Sequence, residues 1–262
     1  MDTKLAILDK FSAKGGYVII DNSFICSRLV DLAFSDSSDN EGLRRSAEDE
    51  AEFYDDVSKI IGPNVLFPCE TAEEFYRGQV SLRRYVKTAS RAVREKAHGL
   101  GKGRHFMINS DKRAYLREKV DIIKIILGTI NKFRLRVILK HPAEAHMTEP
   151  IMRVYTQLKS GVESIAANLG AQKIMDSDNH NNPLPDHLGN DASIFAKTLA
   201  LSTLKPAHLI TRDRDFLDIS RIFYGGLHQM PYRTSVVYLK KNGEFFAVDP
   251  HSRRTLETLT TT

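Results

Sequence analysis

The chain has 262 residues, 42% of them hydrophobic and 27% charged, which allows a buried core and the balance of a water-soluble globular protein. No apolar run approaches the roughly 18 to 20 residues that cross a bilayer, and the opening MDTKLAILDKF lacks the basic-then-apolar plan of a secretory signal. Two cysteines, Cys26 and Cys69, are too few for a disulfide framework or a zinc cluster, so buried residues in a reducing cytoplasm are expected and membrane partners are not.

A net charge of +5 leans towards an anionic partner, and the charge is unevenly spread. Nine acids stand against Arg44 and Arg45 between Asp36 and Asp56. Nine lysines and arginines stand against Glu95 alone between Arg77 and His105. Any basic surface should therefore be local.

In chain order, the apolar run 17–21 (YVIID) follows Gly15-Gly16 and predicts a buried strand ending on Asp21. A Ser/Asp/Asn-rich stretch leads to a helix over 43–60, closed by Gly62-Pro63. Residues 64–68 (NVLFP) predict a second strand, and Thr71 suits the cap of a helix starting near 72. The basic segment reads as one or two helices up to GLGKGR (99–104), a glycine-rich turn without the strand and Ser or Thr of a phosphate-binding loop. A helix over 111–132 presents Ile122, Ile125, Ile126 and Ile130 as its apolar stripe. Residues 134–141 predict a strand, and 149–168 a helix ending at Gly170. A polar loop (176–190) precedes a helix over 191–202, and HLIT (208–211) predicts a strand running into Asp213. The last two strands, RTSVVYLKK and EFFAVD, pair across Asn242-Gly243. Alternating strands and helices imply an α/β layer with a mainly parallel sheet and a terminal hairpin.

Asp21 and Asp213 each stand at or just past the carboxyl end of a short apolar strand, the edge where open α/β sheets bind ligands. Taken singly, Asp21 suits a strand-end turn equally well, and Asp191, at the start of its helix, suits an N-cap.

Read together, the neighbourhoods IIDNSFI (19–25), TAEEFYRG (71–78), NDASIFAKTLAL (190–201) and HLITRDRDF (208–216) resemble, in order, the four motifs of the PIN-domain nucleases. Asp21 with Asn22 and Ser23 matches the first motif. Thr71, Glu74 and Gly78 match the second, with Phe75 in place of leucine. Asp191, Ile194, Ala196, Leu199 and Ala200 match the third, and Thr211, Asp213, Asp215 and Phe216 the last. The resemblance covers 1–78 and 186–250. It implies a three-layer PIN-like fold over 1–262 with an inserted helical region at 79–180, because the gaps before Glu74 and Asp191 exceed those of the family's small toxins.

The resemblance implies a metal-dependent endoribonuclease that leaves a 3′-hydroxyl and a 5′-phosphate. Asp21, Glu74, Asp191 and Asp213 would be its acids, and Asp215 a further metal residue. Mg²⁺ or Mn²⁺ suits such a set, because hard cations prefer carboxylate and water oxygens and relieve the repulsion among clustered acids. Asn22, Ser23 and Thr211 would hydrogen-bond the carboxylates and fix their rotamers. Glu70 and Glu73 compete with Glu74, and the spacing to Gly78 favours Glu74.

An anionic substrate needs basic groups beside the acids. Arg84, Lys87, Arg91 and Arg94 recur at helical spacing, Arg212 and Arg214 alternate with the terminal acids, and Tyr85 suits stacking on a base. A solvated basic face is the plainer reading of the first four. The expected partner is single-stranded RNA, with DNA, a second copy and an inhibitor protein left open. Two alternatives stand beside this reading: a silent PIN scaffold that binds RNA or protein, and a structure-selective DNA nuclease.

Overall fold

A computed structural model describes residues 3–25, 39–95, 110–176, 187–225, 232–240, 244–248 and 255–256. The chain divides into two compact units. One comprises Met1–Ile25, Ile60–Ala72 and Ile138–Thr262, the other Cys26–Lys59 and Glu73–Val137.

The first unit is built on a sheet of β1 (Tyr17–Ile20), β2 (Val65–Leu66), β3 (Ala207–Thr211), β4 (Thr234–Leu239), β5 (Phe245–Val248) and β6 (Thr255–Leu256). The order is β2-β1-β3-β4-β5-β6. The first four strands run parallel, and β5 and β6 are antiparallel additions at one edge. All four residues of β1 are buried, as expected for a strand covered on both faces. Register puts Ile19, Leu209 and Val236 side by side on one face. That face forms a core with α6 (Glu149–Asp176), α7 (His187–Leu201) and α8 (Asp215–Gly225) through Ile151, Val162, Phe195, Leu199, Phe216 and Phe223. His208 lies on the opposite face, where Phe11 of α1 (Thr3–Ser12) packs 5.0 Å from its ring. The chain is thus α/β, with a mainly parallel sheet between helices.

Gly15 takes φ +77°, and a Cβ on Gly16 would lie 2.2 Å from the Pro206 carbonyl oxygen. The glycine pair does more than turn the chain. It lets the start of β1 press against the start of β3, where Tyr17 N–H donates to that carbonyl at 2.7 Å.

The second unit is helical: α3 (Asn40–Ile60), α4 (Cys69–Glu95) beyond its first turn, and α5 (Ser110–Arg136). Its aromatic centre stacks Tyr54 on Phe133 at 4.3 Å, with Phe75 set edge-on to Tyr54 at 6.2 Å. Asn40 donates to the Tyr115 carbonyl and to Glu118, and Arg44 reaches Glu118 at 2.8 Å, tying α3 to α5.

Several elements differ from expectation. Residues 134–141 form no strand: α5 runs on to Arg136, and Ile138–Lys140 is a 3₁₀ turn. A short apolar run flanked by basic residues carries no periodicity long enough to separate the two. Within α5, Ile122, Ile126 and Ile130 are buried, but Ile125 is 68% exposed. Gly170 sits inside α6, which runs on to Asp176. The helical unit closes at Val137, and 138–176 falls in the unit that carries the sheet. Cys69 is exposed, not buried, and the segments 99–104 and Asn242-Gly243 lie outside the described residues. No described helix is long and apolar enough to cross a membrane.

Gly16→Ala should lower stability by about 2 kcal/mol, because its methyl group must displace backbone rather than a flexible side chain. A reduced urea midpoint at unchanged m-value would register it.

Candidate functional site

Parallel pairing sets Ile20 beside Ile210, so the carboxyl ends of β1 and β3 open on the same edge. Asp21, 3% exposed, continues the ladder by donating its N–H to the Ile210 carbonyl at 3.1 Å. Its Oδ2 accepts from the Thr211 hydroxyl at 2.9 Å, from Ser23 N–H at 3.1 Å and from the Ser23 hydroxyl.

The direction of these bonds is constrained. The Ser23 hydroxyl accepts from Arg212 N–H and the Thr211 hydroxyl from Asp213 N–H, both at 2.9 Å. Each hydroxyl has one proton to give, and a carboxylate oxygen is the strongest acceptor in reach. Ser23 and Thr211 therefore tie Asp21 at the end of β1 to the loop that carries Asp213. Asn22 opens the short helix α2 (Asn22–Ile25), and its side-chain oxygen is buried without a hydrogen bond among the described residues.

Asp213 Oδ1 accepts from Asp215 N–H at 2.9 Å, which fixes the loop at the entrance to α8. Asp191 is the fifth residue of α7, not its cap, since that helix begins at His187. One carboxylate oxygen each from Asp191, Asp213 and Asp215 lie within 4.8 Å of one another. Asp191 and Asp215 are 6% and 8% exposed, while Asp213 is half-buried. Hard divalent cations take carboxylate oxygens as ligands. The donor set, three hard oxygens, fits a divalent cation.

The remaining expected residues are placed as follows. Glu74 is half-buried on α4 in the helical unit, while Glu73 is exposed beside Arg77 at 3.8 Å. Thr71 caps nothing: α4 starts two residues earlier, and its hydroxyl donates to the Ile20 carbonyl at 3.1 Å. Arg84, Lys87 and Arg91 are exposed on α4, and the Arg94 side chain lies outside the described residues. Tyr85 is half-buried, with the Lys119 ammonium 5.9 Å from its ring. Arg212 is half-buried, and Arg214 is exposed near Asp218 at 3.9 Å.

Glu70 belongs to a different constellation. Lys197 of α7, 6% exposed, donates to both Glu70 oxygens at 2.8 and 2.6 Å and to Glu144 at 2.7 Å, and it lies 3.2 Å from Cys69 Sγ. Ser193 donates to Glu70 at 2.6 Å and meets the Tyr155 hydroxyl at 2.9 Å, while Glu144 also accepts from Cys69 N–H. Cys69, Glu70 and Glu144 approach one another as metal ligands would, but the Lys197 ammonium already stands as their cation. No family motif marks Lys197. The available signal was a lone lysine in an otherwise apolar run, ASIFAKTLAL, because a lysine in a buried helix needs a partner.

Burial alone would raise the Glu70 and Glu144 carboxyls. Hydrogen bonds from Lys197, with Ser193 at Glu70 and Cys69 N–H at Glu144, outweigh it and hold both below the usual value. Burial would lower Lys197, and the two carboxylates raise it instead. Burial foremost pushes the Cys69 thiol up to about 11, so it is protonated at neutral pH.

The sign of the pH dependence follows. The carboxylates contribute stability that is complete above their unfolded value of 4.5 and is lost as pH falls through the depressed native values. The lysine contribution fades only in strong alkali. The stability advantage of wild type over Glu70→Gln should be flat above about pH 5.5 and shrink in acid. Urea midpoints of both proteins from neutral to acid pH measure it. No family model, curated protein or solved structure matches the chain.

Proposed function

We propose that this protein is a PIN-like, metal-dependent endoribonuclease, with Asp21, Asp191 and Asp213 among its acids and Asp215 beside them. The observation that carries the reading is the convergence of Asp191, Asp213 and Asp215 at the strand edge, where Asp213 is tied to Asp21 through Thr211.

Asp191, Asp213 and Asp215 would hold the cation. Asp21, whose Oδ2 accepts from hydroxyl and amide donors, would complete the acidic set beside them. Mg²⁺ or Mn²⁺, when bound, supplies the charge that acidifies a water and stabilises the phosphate oxygens as the bond breaks. The chain's own residues do the rest. Ser23 and Thr211 hold Asp21 in one rotamer. Asp213 holds the loop, and Arg212 and Arg214, which flank it in the chain, would serve the phosphates beside the scissile bond. Arg84, Lys87 and Arg91 lie three and four residues apart on α4 and offer one basic face to a phosphate backbone. Cytoplasmic residence fits an exposed, unbridged Cys69.

Labelled single-stranded RNA and DNA, incubated with Mn²⁺ or Mg²⁺, test this directly. Wild type should cut RNA, and Asp21→Asn and Asp213→Asn should each be slower by about 100-fold or more. Cleavage that survives chelation, or both substitutions, overturns the mechanism. RNA binding without cutting points to a silent scaffold, and faster cutting of DNA to a DNA nuclease.

A further inference from the structure

We propose that Lys197 is a positioning residue: the ion pairs of this buried ammonium lock the rotation of α7 and thereby aim Asp191 at Asp213 and Asp215. The inference rests on the proposed metal site and names a part of it that lies outside the acids.

Every residue of α7 from Asp191 to Leu201 is buried. Ala192, Ala196 and Ala200 pack in the core beside Ile194, Phe195 and Leu199. Apolar burial is non-directional, so hydrogen bonds add an orientation that packing area alone does not specify. Directional restraint comes from Ser193 and Lys197, four residues apart on one face. They reach Glu70 at the first turn of α4, Glu144 in the 3₁₀ turn Ala143–His146, and Tyr155 on α6. All three ammonium protons have acceptors at Glu70, Glu144 and Cys69, so the lysine is held from several directions at once.

Asp191 precedes Lys197 by six residues, which places it about 120° round the helix from the lock. A carboxylate about 5–6 Å from the axis moves about 2 Å for a 20° rotation. That displacement exceeds what a metal site tolerates, since productive geometry must be held to about 0.5 Å. The lock thus sits on one side of α7 and its consequence appears on another.

Lys197→Met alone leaves the Glu70 and Glu144 carboxylates facing each other without their shared counter-charge and is at risk of unfolding. The combined variant Lys197→Met, Glu70→Gln, Glu144→Gln removes all three charges together and keeps the volumes. Two measurements apply to it and to wild type, both below the melting temperature of either protein. Mn²⁺ titration followed by electron paramagnetic resonance should show at least tenfold weaker binding in a variant that is fully folded by circular dichroism. Its crystal structure without metal should place the Asp191 oxygen outside the 4.8 Å grouping with Asp213 and Asp215. Wild-type Mn²⁺ affinity together with an unmoved Asp191 overturns the proposal. If wild type itself binds no Mn²⁺, the metal reading falls and the position of Asp191 in the crystal decides the role of Lys197. A variant that does not fold transfers the same two measurements to Glu144→Gln, where a weaker lock should give a smaller shift in the same direction, and no shift in either measurement rejects the proposal.

Discussion

Parallel pairing of β1 with β3 is the constraint on which the candidate site depends. It brings two carboxyl strand ends to one edge, and it needs the backbones to approach closely where they start, at Gly16 and Pro206. From that edge the geometry is carried by hydroxyls. Ser23 and Thr211 each accept from a backbone amide of the loop after β3 and donate to Asp21, so the two strand ends cannot drift apart without breaking the Thr211–Asp21 and Arg212–Ser23 bonds. The net value of each bond is modest, about 1 kcal/mol. Together they act as a rotamer clamp, and rotamer precision, more than stability, is what a carboxylate site requires.

Acids gathered at an edge are costly to keep ionised, and the fold separates its charges accordingly. Glu70 and Glu144 share one counter-charge within the protein, Lys197, a fixed ammonium on the same helix as Asp191. The trio of Asp191, Asp213 and Asp215 is a second grouping among the described residues, and its donor set suits an exchangeable hard cation instead. One helix thus faces a permanent counter-ion on one side and a carboxylate cluster on another.

Much of the fold was legible because its signals were of the right length. The four-residue apolar run before Asp21, the run before Thr211 and the two strands around Asn242-Gly243 are too short and too β-branched to be helices, and each is a strand. The run 134–141 failed for the opposite reason. It follows a long helix whose hydrogen bonds continue past Phe133, as in Val137 N–H to the Phe133 carbonyl, and local propensity yields to an established helix. Gly170 failed similarly, since a glycine in a helix of 28 residues loses about 1 kcal/mol without ending it. Thr71 has the residue type of a cap, but the carbonyl it serves is on β1, a long-range contact with no local signature.

The same distinction applies within the acids. Motif spacing separates Glu74 from Glu70 only by analogy, whereas the structure gives Glu70 a definite occupation: both its oxygens are bonded to Lys197, and one also to Ser193. Glu70 and Glu74 are four residues apart and so share a face of α4, with Thr71 beside them. The first turn of that helix is therefore fixed twice, by the Glu70 ion pair and by the Thr71 hydroxyl on the Ile20 carbonyl. The side chain that most resembled a rival for the proposed catalytic position thus has a counter-charge of its own, and sequence spacing reads such a residue as a competitor because it records the face but not the partner.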